Sequence, residues 1–394
     1  MNNARKLRNL LAAKDLQAVL LTTPEHCYYA TGLSPHQLTV SRAPGFAYAV
    51  MDMQSEDSYV ITMDYEAPAL EGKNSQVQVL AYDTWVGVKS KEEWLDGKDH
   101  GQVDKLRSSL DLLEELFHEH NWTRARVGLE LKHLPVEHFQ RLKERFPDVS
   151  WQDVSDDFIF ARSIKNADEI NIYRQLTEAS DKALLEMSRH VQVGANELDL
   201  IQIYRTACMQ NGAYPSSWSM LGAGPNSSIL QLPQDHCISE GDCLRFDGGC
   251  EAGFRFFKTD FSRTWIVGKA CPKLLETKKV LTSAQRLMIQ SIKPGMRFSE
   301  LFHLGFDQVK KYIPNYRRGH LGHSISLGPG TADLPHISPG EDRQLEEGMI
   351  LAVEVPFYIR NYQGFNIEDM VLVKADGAEV LTYRTPHYLE FEEH

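Results

Sequence analysis

The sequence has few of the features that mark membrane, disulfide-rich or nucleic-acid-binding proteins. No apolar run approaches the roughly 20 residues that a transmembrane helix needs. The six cysteines contain no C-x-x-C pair, so we expect Cys243 and Cys250 to be buried thiols in strands. Lys and Arg number 42 against 54 Asp and Glu, a net charge of −12, whereas nucleic-acid binding requires clustered positive charge. We therefore expect neither a membrane nor a nucleic-acid partner.

The N-terminus also lacks the apolar core and small-residue cleavage site of a signal peptide. Instead, MNNARKLRNLLAAKDL places Leu7, Leu10 and Leu11 on one stripe of an amphipathic helix. We expect a cytoplasmic protein. At 394 residues the chain is too long for one ordinary core, which predicts two or three domains.

The hydrophobic pattern changes near residue 155. Before it, helical patterns alternate with strands such as QAVLLTT and SYVITMD, which predicts an α/β domain over residues 1–155. The segment DDFIFARSIKNADE is the predicted junction, where Asn166 followed by Asp168 and Glu169 indicates a helix N-terminus. From about residue 215, short strands separated by Gly and Pro turns predict an antiparallel sheet in an α+β domain over residues 156–394.

Two aspartates in this second half stand where their side chains need a partner. Asp247 lies on the opposite face of CLRFDGG from Leu244 and Phe246, and Asp260 is expected on the returning strand of a hairpin. Asp is depleted in strands, so a pair on neighbouring strands calls for a partner such as a metal ion. Taken singly, each aspartate is more often a surface or turn residue.

Three further positions carry similar signals. His323 lies in glycine-rich RGHLGHSISLG; imidazole is a frequent metal ligand, although a lone loop histidine is more often structural. Glu354 is the only charge inside GMILAVEVPFY, where a carboxylate must be paired, metal-bound or protonated. In GFNIEDMVLV the pattern leaves open whether Glu368 or Asp369 points inward.

Four carboxylates and one imidazole balance the charge of two divalent cations. Such an oxygen-rich donor set suits manganese, with cobalt, iron and zinc as the other candidates. Two adjacent metals share a hydroxide, lower its pKa and hold a substrate carbonyl, which is the chemistry of amide hydrolysis.

In their order along the chain, these segments resemble the pita-bread metallopeptidases: methionine aminopeptidase, aminopeptidase P, prolidase and the related creatinase. LLAAKDLQAVLLTTPEHCYYATGL is similar to the start of a creatinase-type N-terminal domain, and ARSIKNADEINIYRQ to the linker and first catalytic helix. FDGG with TDFSRT, then GHSIS, AVEVP and NIEDMVLV, match the five ligand segments. The resemblance covers nearly the whole chain and implies a pita-bread catalytic domain with a curved antiparallel sheet.

The resemblance implies a role for each matching residue. Asp247 would bind one metal, and Asp260 and Glu368 would bridge both. His323 and Glu354 would complete the sphere of the other metal, and Glu354 would also exchange a proton with the bridging water.

The same resemblance favours Glu368 over Asp369 as the acid that points inward, toward the metals. Arg263, in the family's S-D-x-x-R-T pattern, would support Asp260 and Glu368 from outside the ligand shell. The hairpin at EAGFRFF is two residues longer than usual. An even insertion preserves strand alternation, so Asp247 and Asp260 are still expected on one face.

The histidines of the family pattern are altered in this chain. Gln231 stands where the peptidases usually carry a histidine, and an amide donates a hydrogen bond but cannot transfer a proton. The H-G-x-G-H pattern is shifted, with Gly319 in the histidine's place and His320 beside it. LGPGTADLPHISPG has no clear H-E-x-P equivalent, and His336 is the nearest imidazole. The candidate catalytic residues are therefore Glu354, His320 and Gln231.

These departures leave three functional hypotheses. The first is a metal-dependent hydrolase of the Xaa-Pro aminopeptidase or dipeptidase type, acting on a small molecule or short peptide. The second keeps the metals but takes a specialised non-peptide substrate, as ectoine hydrolase and dimethylsulfoniopropionate lyase do; creatinase, which lacks the ligand set, is the poorer analogy. The third is a non-catalytic peptide- or histone-binding module, which the complete ligand set disfavours.

The resemblance also implies a homodimer in which the N-terminal domain reaches toward the partner's active site. Residues 34–46, SPHQLTVSRAPGF, are polar and turn-rich and are the candidate contribution. An ordinary exposed loop is an equally good interpretation of this segment.

Overall fold

The computed structural model describes residues 3–97, 106–328, 330 and 332–389. The chain divides after Ala161 into two units. The boundary expected from the sequence, at residue 155, coincides with the start of a helix, Ser155–Ser163, that runs across this division. Within the described residues, no helix combines the length and apolar character needed to cross a bilayer.

The first unit is built on a six-stranded mixed sheet. Its strands are β1 (Ala18–Leu21), β2 (Tyr48–Asp52), β3 (Ser58–Met63), β4 (Val77–Tyr82), β5 (Arg126–Leu129) and β6 (Ser150–Asp153). Their order is β4-β3-β2-β1-β5-β6, with β2 antiparallel to both of its neighbours and every other pair parallel. Strands β1 to β3 are buried at every residue, as expected for strands covered on both faces.

Helices α1 to α8 accompany this sheet and confirm the predicted α/β class. They are α1 (Asn3–Leu11), α2 (Pro24–Thr31), α3 (His36–Ser41), α4 (Ala67–Leu70), α5 (Lys91–Asp96), α6 (Ser109–Glu119), α7 (Val136–Arg145) and α8 (Ser155–Ser163). The segment expected as a turn-rich loop, residues 34–46, contains helix α3. The helix ends at Arg42, which has a left-handed backbone conformation, and the Arg42 side chain pairs with the buried Glu25 at 2.6 Å.

In the described residues of the second unit, a large antiparallel sheet is combined with four α-helices, which confirms the predicted α+β class. The helices are α9 (Ala167–Ser188), α10 (Glu197–Gln210), α11 (Pro272–Ser291) and α12 (Phe298–Lys310). The strands of the large sheet are β8 (Met220–Ala223), β9 (Cys243–Gly248), β11 (Phe261–Ile266), β12 (Gly322–Ser324), β13 (Asp333–His336), β14 (Ile350–Glu354), β17 (Glu368–Lys374) and β18 (Gly377–Val380). Two short ribbons pair β7 (Tyr214–Pro215) with β10 (Cys250–Glu251) and β15 (Phe357–Ile359) with β16 (Gln363–Phe365).

The strand order of the large sheet is β13-β12-β14-β17-β11-β9-β8, with β18 added beside β17. Its core-facing side packs against helices α11 and α12 through residues such as Leu281, Met288 and Leu301. Helix α9 begins as predicted at Asn166, which forms a reciprocal capping box with Glu169. Cys243 and Cys250 are buried free thiols in strands, as expected.

Candidate metal centre

One row of residues crosses four neighbouring strands of the large sheet. Asp247 on β9 lies opposite Ser262 on β11. Ser262 in turn lies opposite Glu368 on β17, and Glu368 lies opposite Glu354 on β14. Directly paired residues project to the same side of a sheet. The three acids of this row therefore share one face.

Strand alternation adds the remaining two predicted ligands to that face. Asp260 immediately precedes β11, one residue short of the strand on which it was expected, and lies two residues before Ser262. His323 lies opposite Ala352, two residues before Glu354. Because side chains two residues apart point the same way in a strand, all five predicted ligands face one side, and all are buried.

Three of these side chains already converge as a ligand set. The donor atoms of Asp260, His323 and Glu368 lie within 4.8 Å of one another. His323 Nε2 is 3.4 Å from Asp260 Oδ2, and its other ring nitrogen, Nδ1, lies 3.1 Å from the carbonyl oxygen of Ser324. A main-chain acceptor at Nδ1 places the proton there and leaves Nε2 free as a ligand.

The electrostatics of the cluster fit divalent cations. Burial and the neighbouring acids raise the pKa of Asp247 to about 7, even though Arg245 opposes the shift. Burial also raises the pKa of Asp260, and that of Glu368 well above its usual value. Asp260 Oδ1 is buried without a hydrogen-bond partner among the described residues. Buried carboxylates with excess negative charge and an unpartnered oxygen are the environment that a metal ion satisfies.

Glu354 differs from the other acids of the cluster because its pKa is lowered rather than raised. Its Oε1 lies 3.2 Å from His320 Nδ1 and 3.3 Å from Arg318 Nη2. Burial acts to raise the pKa of Glu354, but the hydrogen bond from His320 and the charge of Arg318 outweigh it and lower that pKa. The structure thus brings the predicted catalytic residue His320 into direct contact with Glu354.

Gln231, the third predicted catalytic residue, lies half-buried in the irregular segment between a 3-10 turn, Gly224–Ser228, and β9. In the described part of the chain, no hydrogen bond joins its side chain to the carboxylates. An imidazole reaches the site from another direction instead. His336 on β13 pairs with His323, and its ring centroid lies 6.5 Å from that of His323 and 5.4 Å from that of His320.

Arg263 supports the cluster in a different way from the one expected. It follows Ser262 and so points to the opposite face, where it donates to Asp369 Oδ1 at 2.9 Å. It reaches Glu368 only through the main-chain oxygen, at 2.7 Å, and its ion pair is with Asp369 rather than with Asp260. Alternation along β17 is the reason, because it sends Glu368 toward the cluster and Asp369 toward Arg263.

Two residues that the sequence analysis did not single out contact the ligands. Arg245 donates from Nη1 to Asp247 Oδ2 at 3.1 Å. Asn366 Nδ2 lies 3.3 Å from both Asp247 Oδ2 and Glu368 Oε2. Each stands two residues before a predicted ligand in a strand-like segment, so alternation was the signal that would have identified them.

Comparison with known proteins assigns the family. The profile of metallopeptidase family M24 matches residues 171–375, and that of the creatinase/prolidase N-terminal domain matches residues 4–164. The chain belongs to metallopeptidase family M24. The resemblance expected from the ligand segments is thereby confirmed, as is the assignment to metallohydrolases, and family M24 implies divalent metal ions.

The similarity to individual M24 proteins extends over nearly the full chain. The Xaa-Pro dipeptidase of Lactobacillus delbrueckii subsp. lactis is 30% identical over 391 residues, 97% of this chain and 96% of that protein. The Xaa-Pro dipeptidase of Pyrococcus furiosus is 26% identical over 382 residues, 96% of each chain. The solved structure of an Xaa-Pro dipeptidase from Bacillus anthracis superposes with a TM-score of 0.81 at 21% identity, covering 98% of this chain and 99% of that one.

Proposed function

We propose that this chain is a metal-dependent Xaa-Pro peptidase that cleaves the amide bond before proline in short peptides. The observation that carries the proposal is the convergence of Asp260, His323 and Glu368 on the sheet face shared with Asp247 and Glu354. The substrate class comes from relatives named Xaa-Pro dipeptidase that match 96% and 97% of the chain.

The five residues Asp247, Asp260, His323, Glu354 and Glu368 would hold two divalent ions. Such ions act as Lewis acids that polarise a carbonyl group and lower the pKa of water. We propose manganese, with cobalt, iron and zinc as alternatives, because the donor set is rich in oxygen and has a single nitrogen.

Glu354 is the residue best placed to accept and return a proton. Arg318 and His320 contact the same carboxylate oxygen, so Glu354 stays ionised while burial raises the pKa values of the neighbouring acids. An ionised carboxylate at the reaction centre takes a proton from the attacking water and delivers it to the leaving nitrogen.

His320 and His336 would supply the imidazole function that is lost where Gln231 replaces the usual histidine. The His320 side chain is 37% exposed and therefore accessible to a substrate above the cluster. Burial, followed by the neighbouring rings of His320 and His323, lowers the pKa of His336. A neutral imidazole at that position donates a hydrogen bond to a developing oxyanion without adding charge.

The test is hydrolysis of a panel of Xaa-Pro dipeptides and Xaa-Pro-Xaa tripeptides, followed by mass spectrometry with and without added MnCl2. We expect metal-dependent cleavage before proline. Glu354→Gln should reduce kcat by about 100-fold or more, whereas Glu347→Gln, at an exposed position, should leave kcat unchanged. Cleavage that survives both removal of metal and Glu354→Gln would contradict the proposal.

A second candidate keeps the site and changes the substrate. Gln231 in place of the usual histidine favours a hydrolase or lyase of a specialised non-peptide molecule. Manganese-loaded protein that binds the ion but leaves the whole peptide panel intact would support this alternative. Efficient turnover of simple Xaa-Pro dipeptides would exclude it.

We also propose a homodimer, with residues 34–46 reaching the active site of the partner subunit. Val40 in this segment is 61% exposed, which leaves an apolar side chain available for an interface. Sedimentation equilibrium should give twice the chain mass, and a monomer at micromolar concentration would contradict the proposal. The cytoplasmic location stays a prediction.

A further inference from the structure

Two cysteines of the second unit lie in contact as free thiols. Cys208 is in helix α10 and Cys250 begins strand β10, and both side chains are fully buried. Their Sγ atoms are 3.0 Å apart, although the two residues are 42 positions apart in the chain. The fold therefore holds two thiols at a separation from which a disulfide can form with little movement.

Two hydroxyl groups extend this contact on the side of Cys250. The Tyr204 hydroxyl lies 3.7 Å from Cys250 Sγ, and Ser180 Oγ lies 2.9 Å from that hydroxyl. Tyr204 can therefore accept a hydrogen bond from Ser180 and donate one to the sulfur. The hydrogen bond with Cys208 and those of the two hydroxyls outweigh burial and lower the pKa of the Cys250 thiol, whereas the contact with Cys250 and burial raise the pKa of the Cys208 thiol. Cys250 is thus the sulfur that more readily becomes a thiolate, the form that reacts with oxidants.

Cys250 lies in a very short paired segment. Strand β10 has two residues and pairs with the two residues of β7, one of which, Pro215, has no N–H to donate. The other, Tyr214, is 63% exposed. A ribbon with so few hydrogen bonds opens locally at a small fraction of the free energy of global unfolding. A small oxidant such as hydrogen peroxide can therefore reach Cys250 while the unit remains folded.

The main chain of Cys250 is connected to both aspartates of the predicted metal centre. Its N–H donates to Thr259 Oγ1 at 2.8 Å, and its carbonyl oxygen accepts from the N–H of Thr259 at 2.9 Å. Thr259 immediately precedes Asp260, and Cys250 follows Asp247 by three residues. Gly249 packs so closely on Thr259 that an added Cβ would lie 1.9 Å from the Thr259 carbonyl oxygen. Because a close-packed interior transmits displacements, a shift of Cys250 reaches both aspartates.

We propose that Cys208 and Cys250 form a reversible disulfide that weakens metal binding at Asp247 and Asp260. The oxidant is a peroxide. The Cys250 thiolate attacks one peroxide oxygen, the O–O bond breaks, and Cys250 becomes a sulfenic acid while hydroxide leaves and takes up the proton lost from the Cys250 thiol. The Cys208 sulfur then attacks the sulfenic sulfur, and the sulfenic oxygen leaves as water with the Cys208 proton. The two thiols lose two electrons in total, and the peroxide is reduced to two molecules of water.

The disulfide pulls Cys250 toward helix α10, since the two sulfurs must move together from 3.0 Å. Thr259 follows through its two hydrogen bonds with Cys250, and the carboxylates of Asp247 and Asp260 are displaced from their common position. The effect on metal binding rests on the metal site of the proposed function, whereas formation of the disulfide does not.

Peptide mapping of the full chain tests the disulfide. Chelator-stripped protein is treated with hydrogen peroxide in slight excess, freed of oxidant, denatured in iodoacetamide, digested and analysed by mass spectrometry. We expect a peptide that joins Cys208 to Cys250, lighter by the two hydrogens that oxidation removes, and we expect it to disappear after treatment with dithiothreitol.

Titration calorimetry with MnCl2 tests the effect on the metal centre. The oxidised protein should bind manganese about tenfold more weakly than the reduced protein, the lower end of the effects that partners of metal ligands have. Reduction with dithiothreitol, followed by its removal, should restore the affinity. Cys208→Ser should abolish both the joined peptide and the effect of peroxide on manganese affinity. Cys271→Ser, which removes an exposed thiol, should retain both.

The outcomes separate this proposal from the proposed function. If Cys208 and Cys250 are still alkylated after peroxide treatment, or if Cys250 is found as a sulfinic acid, the disulfide is overturned. A disulfide that leaves manganese affinity unchanged would overturn its coupling to the metal centre. If even the reduced protein binds no manganese, the metal site of the proposed function is overturned, while peptide mapping still decides whether the disulfide forms. All of these readouts come from the wild type and hold even if Cys208→Ser fails to fold.

Discussion

Glu354 and Glu368 lie directly opposite each other on two neighbouring antiparallel strands, and both are buried. Two like charges in this arrangement destabilise a sheet. Arg318 and His320 relieve the repulsion at Glu354 only. Burial and the surrounding acids raise the pKa of Glu368 well above its usual value, so the pair requires either a proton or a cation.

Metal binding should therefore stabilise the protein. Adding MnCl2 to chelator-stripped protein should raise the melting temperature in scanning calorimetry, with a gain of about 2.7 kcal/mol when the metal is present at 100 times its Kd. The double variant Asp260→Asn/Glu368→Gln removes both proposed bridging acids and should lose most of this shift. An unchanged shift in that variant would place the bound metal elsewhere.

His336 should contribute to turnover more than to substrate binding. Its ring lies beside those of His320 and His323, where a donor stabilises charge that develops only in the transition state. We expect His336→Phe to lower kcat by roughly 10²–10³-fold, as loss of one oxyanion-hole donor does, with little change in KM. His303→Phe, on an exposed part of helix α12, is the matched control. A change in KM alone would assign His336 to binding.

The Arg263–Asp369 pair should act on stability. Asp369 also accepts hydrogen bonds from Gln285 at 2.7 Å and His387 at 2.9 Å. Asp369→Ala leaves the buried guanidinium of Arg263 uncompensated, which should cost about 3–5 kcal/mol in urea denaturation at pH 7. Asp376→Ala, at an exposed turn, should cost little. A loss below 1 kcal/mol in Asp369→Ala, on the order of a surface ion pair, would contradict this role.

The same pair predicts a direction for the pH dependence of stability. Burial opposes ionisation of Asp369, but the charge of Arg263 outweighs it and holds the pKa well below its usual value. A depressed folded-state pKa contributes stability that is complete above the unfolded-state pKa of about 3.9 and is lost as the pH falls further. The difference in unfolding free energy between wild type and Asp369→Ala should therefore shrink below about pH 4.

Glu130 should have a corresponding role in the first unit. Its carboxylate accepts hydrogen bonds from the main-chain nitrogens of Thr22 and Thr23, at 2.6 and 2.7 Å, and contacts the buried ring of His26. We expect Glu130→Ala to cost about 3–5 kcal/mol, because it leaves these buried donors without an acceptor. Exposed Glu137→Ala is the control, with denaturation followed by intrinsic fluorescence. If the free energy of unfolding of Glu130→Ala equals that of the wild type, the contacts of Glu130 contribute nothing to stability.

Much of the architecture was accessible from local patterns. The start of α9 at Asn166 followed from its capping residues, and the α/β and α+β classes followed from hydrophobic periodicity. Alternation also predicted that an even-numbered insertion keeps Asp247 and Asp260 on one face, and the β9–β11 register places them so. These inferences depend on neighbours within a few residues, which a sequence displays directly.

Other features depended on which distant segments meet. Nothing local indicates that His336 pairs with His323 or that Arg318 contacts Glu354. Arg263 was expected to support Asp260, but in the structure it forms an ion pair with Asp369 on the other face of the sheet. Each of these relationships spans strands or loops whose register is set by packing of the whole sheet.

The sequence by itself thus determined the types of side chain and, through the period of two along each strand, the face on which each lies. Only the tertiary structure decided the distances between them, because strand order and register bring together residues as far apart in the chain as Asp247 and Asn366. That is why the sequence could nominate five metal ligands, whereas the contact of Asn366 with Asp247 emerged only when the strands were assembled. Contact energies act between neighbours in space, and a chain folded into an antiparallel sheet makes many of those neighbours distant in sequence.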